Sequence, residues 1–321
     1  MNEFELIREY FARQPVQRAD VVLGIGDDAA VLEVPADRQL VVSTDLLVSG
    51  VHFPAGTDAR AVGHKALAVN LSDLAAMGAE PAWFTLNLSL PSADTEWLQG
   101  FCHGLFELAR RHGVALVGGD TTRGPLTIGV QIMGFVARGV ALRRAGARPG
   151  DGIYVTGTLG DAALGLRLLQ GEIKLPEEFH AAVVARLERP TPRVAAGQRL
   201  HGLATACIDI SDGLLADLGH ILEASGVGAR IELARLPLSL AYDPAFAQVG
   251  WEAALAGGDD YELCFTVPPE QADELRRAAV LFGVPCARIG VIEAEPGLRI
   301  VDQHGGAYAP KLTGFDHFRG D

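Results

Sequence analysis

Five times in this chain, aspartates stand beside short apolar runs, at what read as strand ends or Gly-rich turns. The segments are Gly26-Asp27-Asp28, Ser43-Thr44-Asp45, Gly118-Gly119-Asp120-Thr121-Thr122, Asp209-Ile210-Ser211-Asp212-Gly213 and Gly257-Gly258-Asp259-Asp260. Strands and helices alternate between these segments, which points to a sheet with helices between its strands. The first segment is the sharpest. Asp27 and Asp28 are neighbours between Val21–Leu23 and Ala30–Val34, which read as two buried strands. At about 4 Å and an effective dielectric near 20, two like charges repel by roughly 4 kcal/mol. Something has to offset that repulsion.

The rest of the chain fits such a scaffold. Residues 4–13 read as a short helix and Gln39–Thr44 as a strand, with Pro35-Ala36-Asp37 as a turn. The spacing predicts a helix over Asp58–Met77, ended by Gly78 and Pro81, and another over Thr95–His112, closed by Gly113. Trp83–Leu90, Ala115–Val117 and Leu126–Ala137 read as strands. Arg138–Gly152 is rich in Gly, Arg and Pro and reads as a boundary. Beyond it, Ile153–Gly157, Ala204–Ile210 and Tyr261–Val267 read as strands. Gly213–Ser225 reads as a helix, and Pro190-Thr191-Pro192 separates two more. Both halves are therefore of α/β or α+β type. The domains expected are residues 1–140 and 141–321, which suits a length of 321 residues.

A net charge of −13 argues against non-specific nucleic-acid binding. Bound cations can still let an acidic protein take phosphorylated ligands. Cys102, Cys207, Cys264 and Cys286 have no metal-ligand spacing and read as reduced, free thiols. No apolar run reaches membrane-spanning length, and no signal-peptide pattern is present. The expected location is the cytoplasm.

A sixth acid, Asp73, lies in the apolar run Lys65–Gly78, three residues from Asn70 and on the same helix face. A charge on a largely buried helix needs a partner or a metal. Carboxylates and hydroxyls are hard oxygen ligands that suit Mg²⁺ rather than Zn²⁺. Mg²⁺ takes few protein carboxylates and fills its shell with water and phosphate, so an Asp cluster of this kind points to polyphosphate chemistry. Two other phosphate-binding designs fail on residues. Gly24-Ile25-Gly26-Asp27-Asp28-Ala29 matches GxGxxA, but a strand rather than a helix follows, and two aspartates would repel a bare pyrophosphate. A P-loop needs Gly-Lys, and none of the three lysines, Lys65, Lys174 and Lys311, follows a glycine. Kinase HRD and DFG elements are absent as well.

These segments resemble the thiamine-monophosphate kinase family. The resemblance rests on Gly24–Val31, Ser43–Phe53, Lys65–Ala79, Gly118–Gly124, Val155–Asp161, Asp209–Leu214, Gly257–Leu263 and Gly314–Phe318, in order along nearly the whole chain. It implies the two-domain fold of the aminoimidazole-ribonucleotide-synthetase superfamily. There an N-terminal α/β domain binds ATP and Mg²⁺ and drives homodimerisation, and a C-terminal α+β domain closes over the nucleotide. It also implies the reaction ATP + thiamine monophosphate → ADP + thiamine diphosphate, the last step in making that cofactor.

Carried over by residue, the resemblance implies a shell for several Mg²⁺ ions from Asp27, Asp28, Ser43, Thr44, Asp45, Asp73, Asp120, Asp209 and Asp212. Gly119, Asp120, Arg144 and Ser211 would contact ATP. His52, Asp260 and Phe315 would face thiamine monophosphate. Arg144 can fork onto phosphate, and Phe315 can stack on a thiazolium ring. Asp45, Asp73, Asp120 and Asp212 are the residues on which catalysis is expected to depend most. Transfer is expected to be direct and in line, with no protein nucleophile. The chain departs from the family at Asp259, where a longer Glu is frequent. Relatives within the superfamily fit less well. The selenophosphate enzyme would need a reactive Cys near the N-terminus, and the first cysteine here is Cys102; the hydrogenase-maturation protein would end in Cys, and this chain ends in Asp321. A non-catalytic Mg-ATP binder is the alternative from outside enzymology. Neither a nucleic-acid nor a membrane partner is expected.

Overall fold

The computed structural model describes residues 3–312 and 314. It divides into two compact units, Met1–Leu74 with Ala79–Gly139, and Ala75–Gly78 with Val140–Asp321.

The first unit opens with a short helix, α1 (Glu3–Leu6), running into a π-type turn at Ile7–Phe11. Two short strands, β1 (Val21–Leu23) and β2 (Val31–Leu32), pair antiparallel and carry Asp27 and Asp28 between them. A four-stranded sheet forms the centre, from β3 (Arg38–Val48), β4 (Glu80–Leu90), β5 (Ala115–Arg123) and β6 (Thr127–Ala137). Its order is β3-β6-β4-β5. Only the β4–β5 pair is parallel. The crossover that a parallel pair requires is α3 (Thr95–His112).

Two sequence signals set the ends of α3. Asp94 accepts the N–H groups of Glu96 and Trp97, and Gly113 closes the helix at φ 63°. The other long helix, α2 (Ala59–Ala76), is buried over most of its surface and has little amphipathic periodicity. The two helices touch backbone to backbone. A Cβ on Gly63 would lie 2.0 Å from the Phe101 carbonyl oxygen, and one on Gly104 would lie 1.9 Å from that of Arg60.

The second unit is built on a six-stranded sheet of order β12-β9-β11-β7-β10-β8. The strands are β7 (Gly152–Thr156), β8 (Ala206–Asp209), β9 (Gly228–Glu232), β10 (Leu263–Val267), β11 (Cys286–Glu293) and β12 (Gly297–Val301). All neighbours are antiparallel except β12 and β9. Helices α4 (Asp161–Leu169), α5 (Glu177–Glu188), α6 (Val194–Arg199), α7 (Leu214–Ser225), α8 (Tyr242–Val249), α9 (Glu252–Ala256) and α10 (Ala272–Ala279) complete it. Ile153, Val155, Ile208, Leu218, Ile221 and Ile289 are among the side chains of its core.

Several expectations change on the structure. The strand read over Gln39–Thr44 continues to Val48, because β3 pairs with β6 along its whole length. Asp45 therefore lies inside a strand rather than at its end. Asp120 is likewise within β5, which runs on to Arg123. The strands flanking Asp27 and Asp28 are not buried, with Val22 60% and Val31 50% exposed. The strand read from Tyr261 begins at Leu263, because Asp259 and Tyr261 adopt φ of 67° and 48°, which no strand accommodates.

Candidate active site

In the first unit, one cleft gathers the first and third acid segments. It has a volume of about 640 Å³ and is lined by Gly24–Ala30 and Leu116–Thr121 among others, so Asp27, Asp28, Gly119 and Asp120 all face it. All four are exposed. The Asp28 N–H donates to Asp27 Oδ1 at 2.9 Å, which turns one carboxylate partly back onto the chain. Asp120 owes its place to an irregularity in β5. Phe84 pairs with Leu116, but Thr85 pairs with Gly118, so β5 carries one extra residue there. Gly119 follows at φ 145°, and a Cβ on it would lie 1.9 Å from the Leu86 carbonyl oxygen. No other residue type fits that approach.

The second acid segment is divided by the pleat of β3. Ser43 and Asp45 share one face, and Thr44 lies on the other. Ser43 Oγ donates to Asp73 Oδ2 at 2.5 Å, so α2 presents Asp73 toward the Ser43–Asp45 face. Asp73 has the partner that its burial requires. Thr44 Oγ1 instead donates to the Val130 carbonyl at 3.1 Å. Past the end of β3, His52 Nδ1 accepts the Val48 N–H at 3.0 Å. That bond leaves the proton of a neutral imidazole on Nε2.

In the second unit, the acids of residues 209–213 and 257–260 lie at the same end of the sheet. Asp209, the last residue of β8, pairs with Leu263, the first of β10. The segments beyond are zipped together by Asp259 N–H to the Ser211 carbonyl, Tyr261 N–H to the Ile210 carbonyl and Ile210 N–H to the Glu262 carbonyl, each at 2.8 Å. Asp260 is buried and accepts the Gly160 N–H with both carboxylate oxygens, at 2.8 and 3.1 Å. Burial pushes its carboxyl well above the usual range, and the Gly160 N–H and Arg186 oppose that. Arg144 is exposed. Phe315 lies outside the described residues.

Sequence reasoning missed three groups here. Glu262 is fully buried and receives Arg186 Nη2 at 2.7 Å, Arg193 Nε at 2.6 Å and Thr156 Oγ1 at 2.7 Å. These bonds brace the left-handed Asp259–Tyr261 segment from beneath. Asp161, at the start of α4, receives Thr158 Oγ1 at 2.6 Å and Ser239 Oγ at 2.5 Å. Asp217 is 3% exposed, and its Oδ2 accepts the N–H groups of Ser211, Asp212 and Gly213. Burial pushes the Asp217 carboxyl up to about 7, the Asp212 charge adds to this, and the three N–H groups oppose it. Its signal in the sequence is the one that marks Asp73, a lone acid in an apolar helix, Leu214-Leu215-Ala216-Asp217-Leu218.

Among the described residues, no three His, Cys, Asp or Glu side chains form a group that could hold a metal by itself. The available donors are carboxylate and hydroxyl oxygens, several of them exposed. That donor set fits Mg²⁺, which keeps water and takes phosphate oxygens rather than needing an all-protein cage.

The family of these two units follows from comparison with known proteins. Residues 26–136 match the AIR synthase related protein, N-terminal domain, and residues 148–303 match the corresponding C-terminal domain. The thiamine-monophosphate kinase of Escherichia coli K12 is 50% identical over 323 residues, covering 99% of this chain and 98% of that protein. The crystal structure of thiamine-monophosphate kinase from Stenotrophomonas maltophilia K279a superimposes with a TM-score of 0.85 at 51% identity, covering 91% of this chain and 93% of that one. AaThiL complexed with AMPPCP and TMP superimposes with a TM-score of 0.78 at 35% identity, covering 92% of each chain. With both domains matched and half its residues shared along nearly its full length, the chain belongs to the thiamine-monophosphate kinase family of AIR synthase related enzymes.

Proposed function

We propose that this protein transfers the γ-phosphoryl group of ATP directly to thiamine monophosphate, giving ADP and thiamine diphosphate. The observation that carries this reading is 50% identity along nearly the full length to the thiamine-monophosphate kinase of Escherichia coli K12, in a chain that holds every acid named above. Binding of AMPPCP and TMP by AaThiL supports the substrate pair.

In this reading Asp27, Asp28, Ser43, Asp45, Asp73, Asp120, Asp209 and Asp212 hold Mg²⁺ through their side chains; Thr44, whose hydroxyl is on the other face of β3, would join them only through its main chain. When bound, the ions cancel charge on the polyphosphate. Gly119, Asp120, Arg144 and Ser211 bind ATP, and His52, Asp260 and Phe315 bind thiamine monophosphate. The terminal phosphate oxygen of thiamine monophosphate is ionised at neutral pH and attacks the γ-phosphorus in line, so no strong general base is needed. The work of the side chains is to hold two polyanions in register. His52 can donate from Nε2 to a phosphate oxygen. Residues 1–140 are the proposed ATP/Mg²⁺-binding and dimerisation domain, and residues 141–321 the C-terminal α+β domain.

Dimerisation has support in β3. Leu40, Val42 and Leu46 lie on the face opposite Ser43 and Asp45 and are 43%, 49% and 59% exposed. A second copy of this chain is the partner proposed for that face. We place the protein in the cytoplasm, consistent with the unpaired Cys102, Cys207, Cys264 and Cys286. No helix among the described residues is long and apolar enough to cross a membrane.

ADP release from ATP, measured with thiamine monophosphate, with thiamine and with no acceptor, tests the reading. Release should need both thiamine monophosphate and Mg²⁺ and should stop on adding EDTA. Equal release without acceptor would overturn it.

A further inference from the structure

Asp217 has no place in the reading above, yet it makes an unusual set of bonds. One buried oxygen, Oδ2, accepts three consecutive backbone N–H groups, those of Ser211 at 3.0 Å, Asp212 at 3.0 Å and Gly213 at 3.1 Å. Only one of these, the Gly213 N–H, belongs to the N-cap residue of its own helix. The other two, those of Ser211 and Asp212, lie before the cap of α7, whose first residue is Leu214. What Asp217 secures is the turn that carries Ser211 and Asp212.

The other side of that turn is committed too. The Ser211 and Ile210 carbonyls accept the Asp259 and Tyr261 N–H groups. With amides held on one side and carbonyls on the other, the peptide planes from 210 to 213 have little freedom. Fixing those planes fixes the directions in which the side chains of Ser211 and Asp212 leave the backbone. Three successive N–H groups facing one point form an anion-binding concavity, and the carboxylate of Asp217 fills it from behind. Removing the carboxylate would leave three inward-facing donors without their acceptor, and the turn would have to refold to satisfy them.

We propose that Asp217 is a positioning residue that holds the Ser211–Gly213 turn so that Ser211 and Asp212 are presented to the nucleotide phosphates and their Mg²⁺. The inference rests on the ATP-binding part of the proposed function. Partners that orient a metal ligand typically matter by about 10- to 100-fold in affinity or activity when lost.

The test compares wild type, D217A and D217N by two readouts. One is Mg²⁺-dependent binding of a non-hydrolysable ATP analogue, titrated by calorimetry. The other is hydrogen exchange at residues 211–213. D217A should bind the analogue at least about tenfold more weakly at fixed Mg²⁺ and should exchange faster at those amides. D217N keeps an acceptor oxygen and should fall between D217A and wild type. A merely structural role would lower the melting temperature and leave the affinity of the folded fraction unchanged. Wild-type affinity in folded D217A would overturn the proposal. Should D217A not fold, D217N decides, with wild-type affinity overturning the proposal and an intermediate loss supporting it. A wild-type protein that binds the analogue but does not phosphorylate thiamine monophosphate would overturn the proposed reaction, while the titrations would still decide the role of Asp217.

Discussion

Asp27 and Asp28 can be neighbours because both are exposed. In water, two charges at 4 Å repel by about 1 kcal/mol, well below the value in a partly buried setting. The pair is thus a modest burden on the free protein and a concentrated negative field in the cleft, which a cation would relieve. Asp120 lines the same cleft from β5. Asp120→Asn keeps the shape and removes the charge, so the fold should persist while kcat falls by about 10²–10³, as when one preorganised electrostatic contact is lost. Steady-state ADP release, with circular dichroism as the control for folding, checks this. Asp73 and Asp217 carry a related lesson. Each is an acid in an apolar helix, and each is bound to a neighbour, Ser43 Oγ for one and three backbone amides for the other. The sequence shows that such an acid must have a partner, but not which one, because the partner of Asp73 is 30 residues away on another element.

At the scale of elements, legibility tracks how local the determinants are. The C-terminal limit of α3 was readable because Gly113 sits next to the helix it bounds. By contrast, β9, β11 and β12 carry Arg230, Glu232, Arg288 and Arg299 among their apolar residues. They are strands because each completes another's ladder, with β9 held between β11 and β12. β3 was cut short at the polar Ser43-Thr44-Asp45 run, although its register with β6 continues across it. The bulge in β5 also depends on pairing with β4 and could not be read locally, yet it sets the place of Asp120. Gly119→Ala should therefore fail at two levels. The added Cβ meets the Leu86 carbonyl, and a left-handed φ costs a non-glycine residue on the order of 1–3 kcal/mol before any clash. Urea unfolding should show a loss of at least that size, with weaker nucleotide binding in whatever fraction stays folded.

At the scale of the molecule, each unit carries its own share of the acids. The first contributes the cleft with Asp27, Asp28 and Asp120 and the Ser43–Asp73 pair. The second contributes the braced turns at Asp209–Gly213 and Gly257–Tyr261. That both halves carry such turns was evident from the sequence. The brace beneath the second pair, Glu262 with Arg186 and Arg193, was not, because its members are separated by up to 76 residues. The outer face of β3 bears on assembly. Leu46→Arg would set a charge at the most exposed position of that apolar stripe and leave the Ser43–Asp45 face unchanged. Sedimentation velocity should show a dimer for wild type and a shift to monomer for this variant; an unshifted dimer would place the interface elsewhere.

Direct phosphoryl transfer from ATP to thiamine monophosphate can be followed with ATP labelled in the γ-phosphate. With Mg²⁺ and thiamine monophosphate, all transferred label should appear in thiamine diphosphate, in one-to-one ratio with ADP. Without acceptor, the protein itself should stay unlabelled. Label held on the protein, or released as inorganic phosphate in place of thiamine diphosphate, would rule out direct transfer.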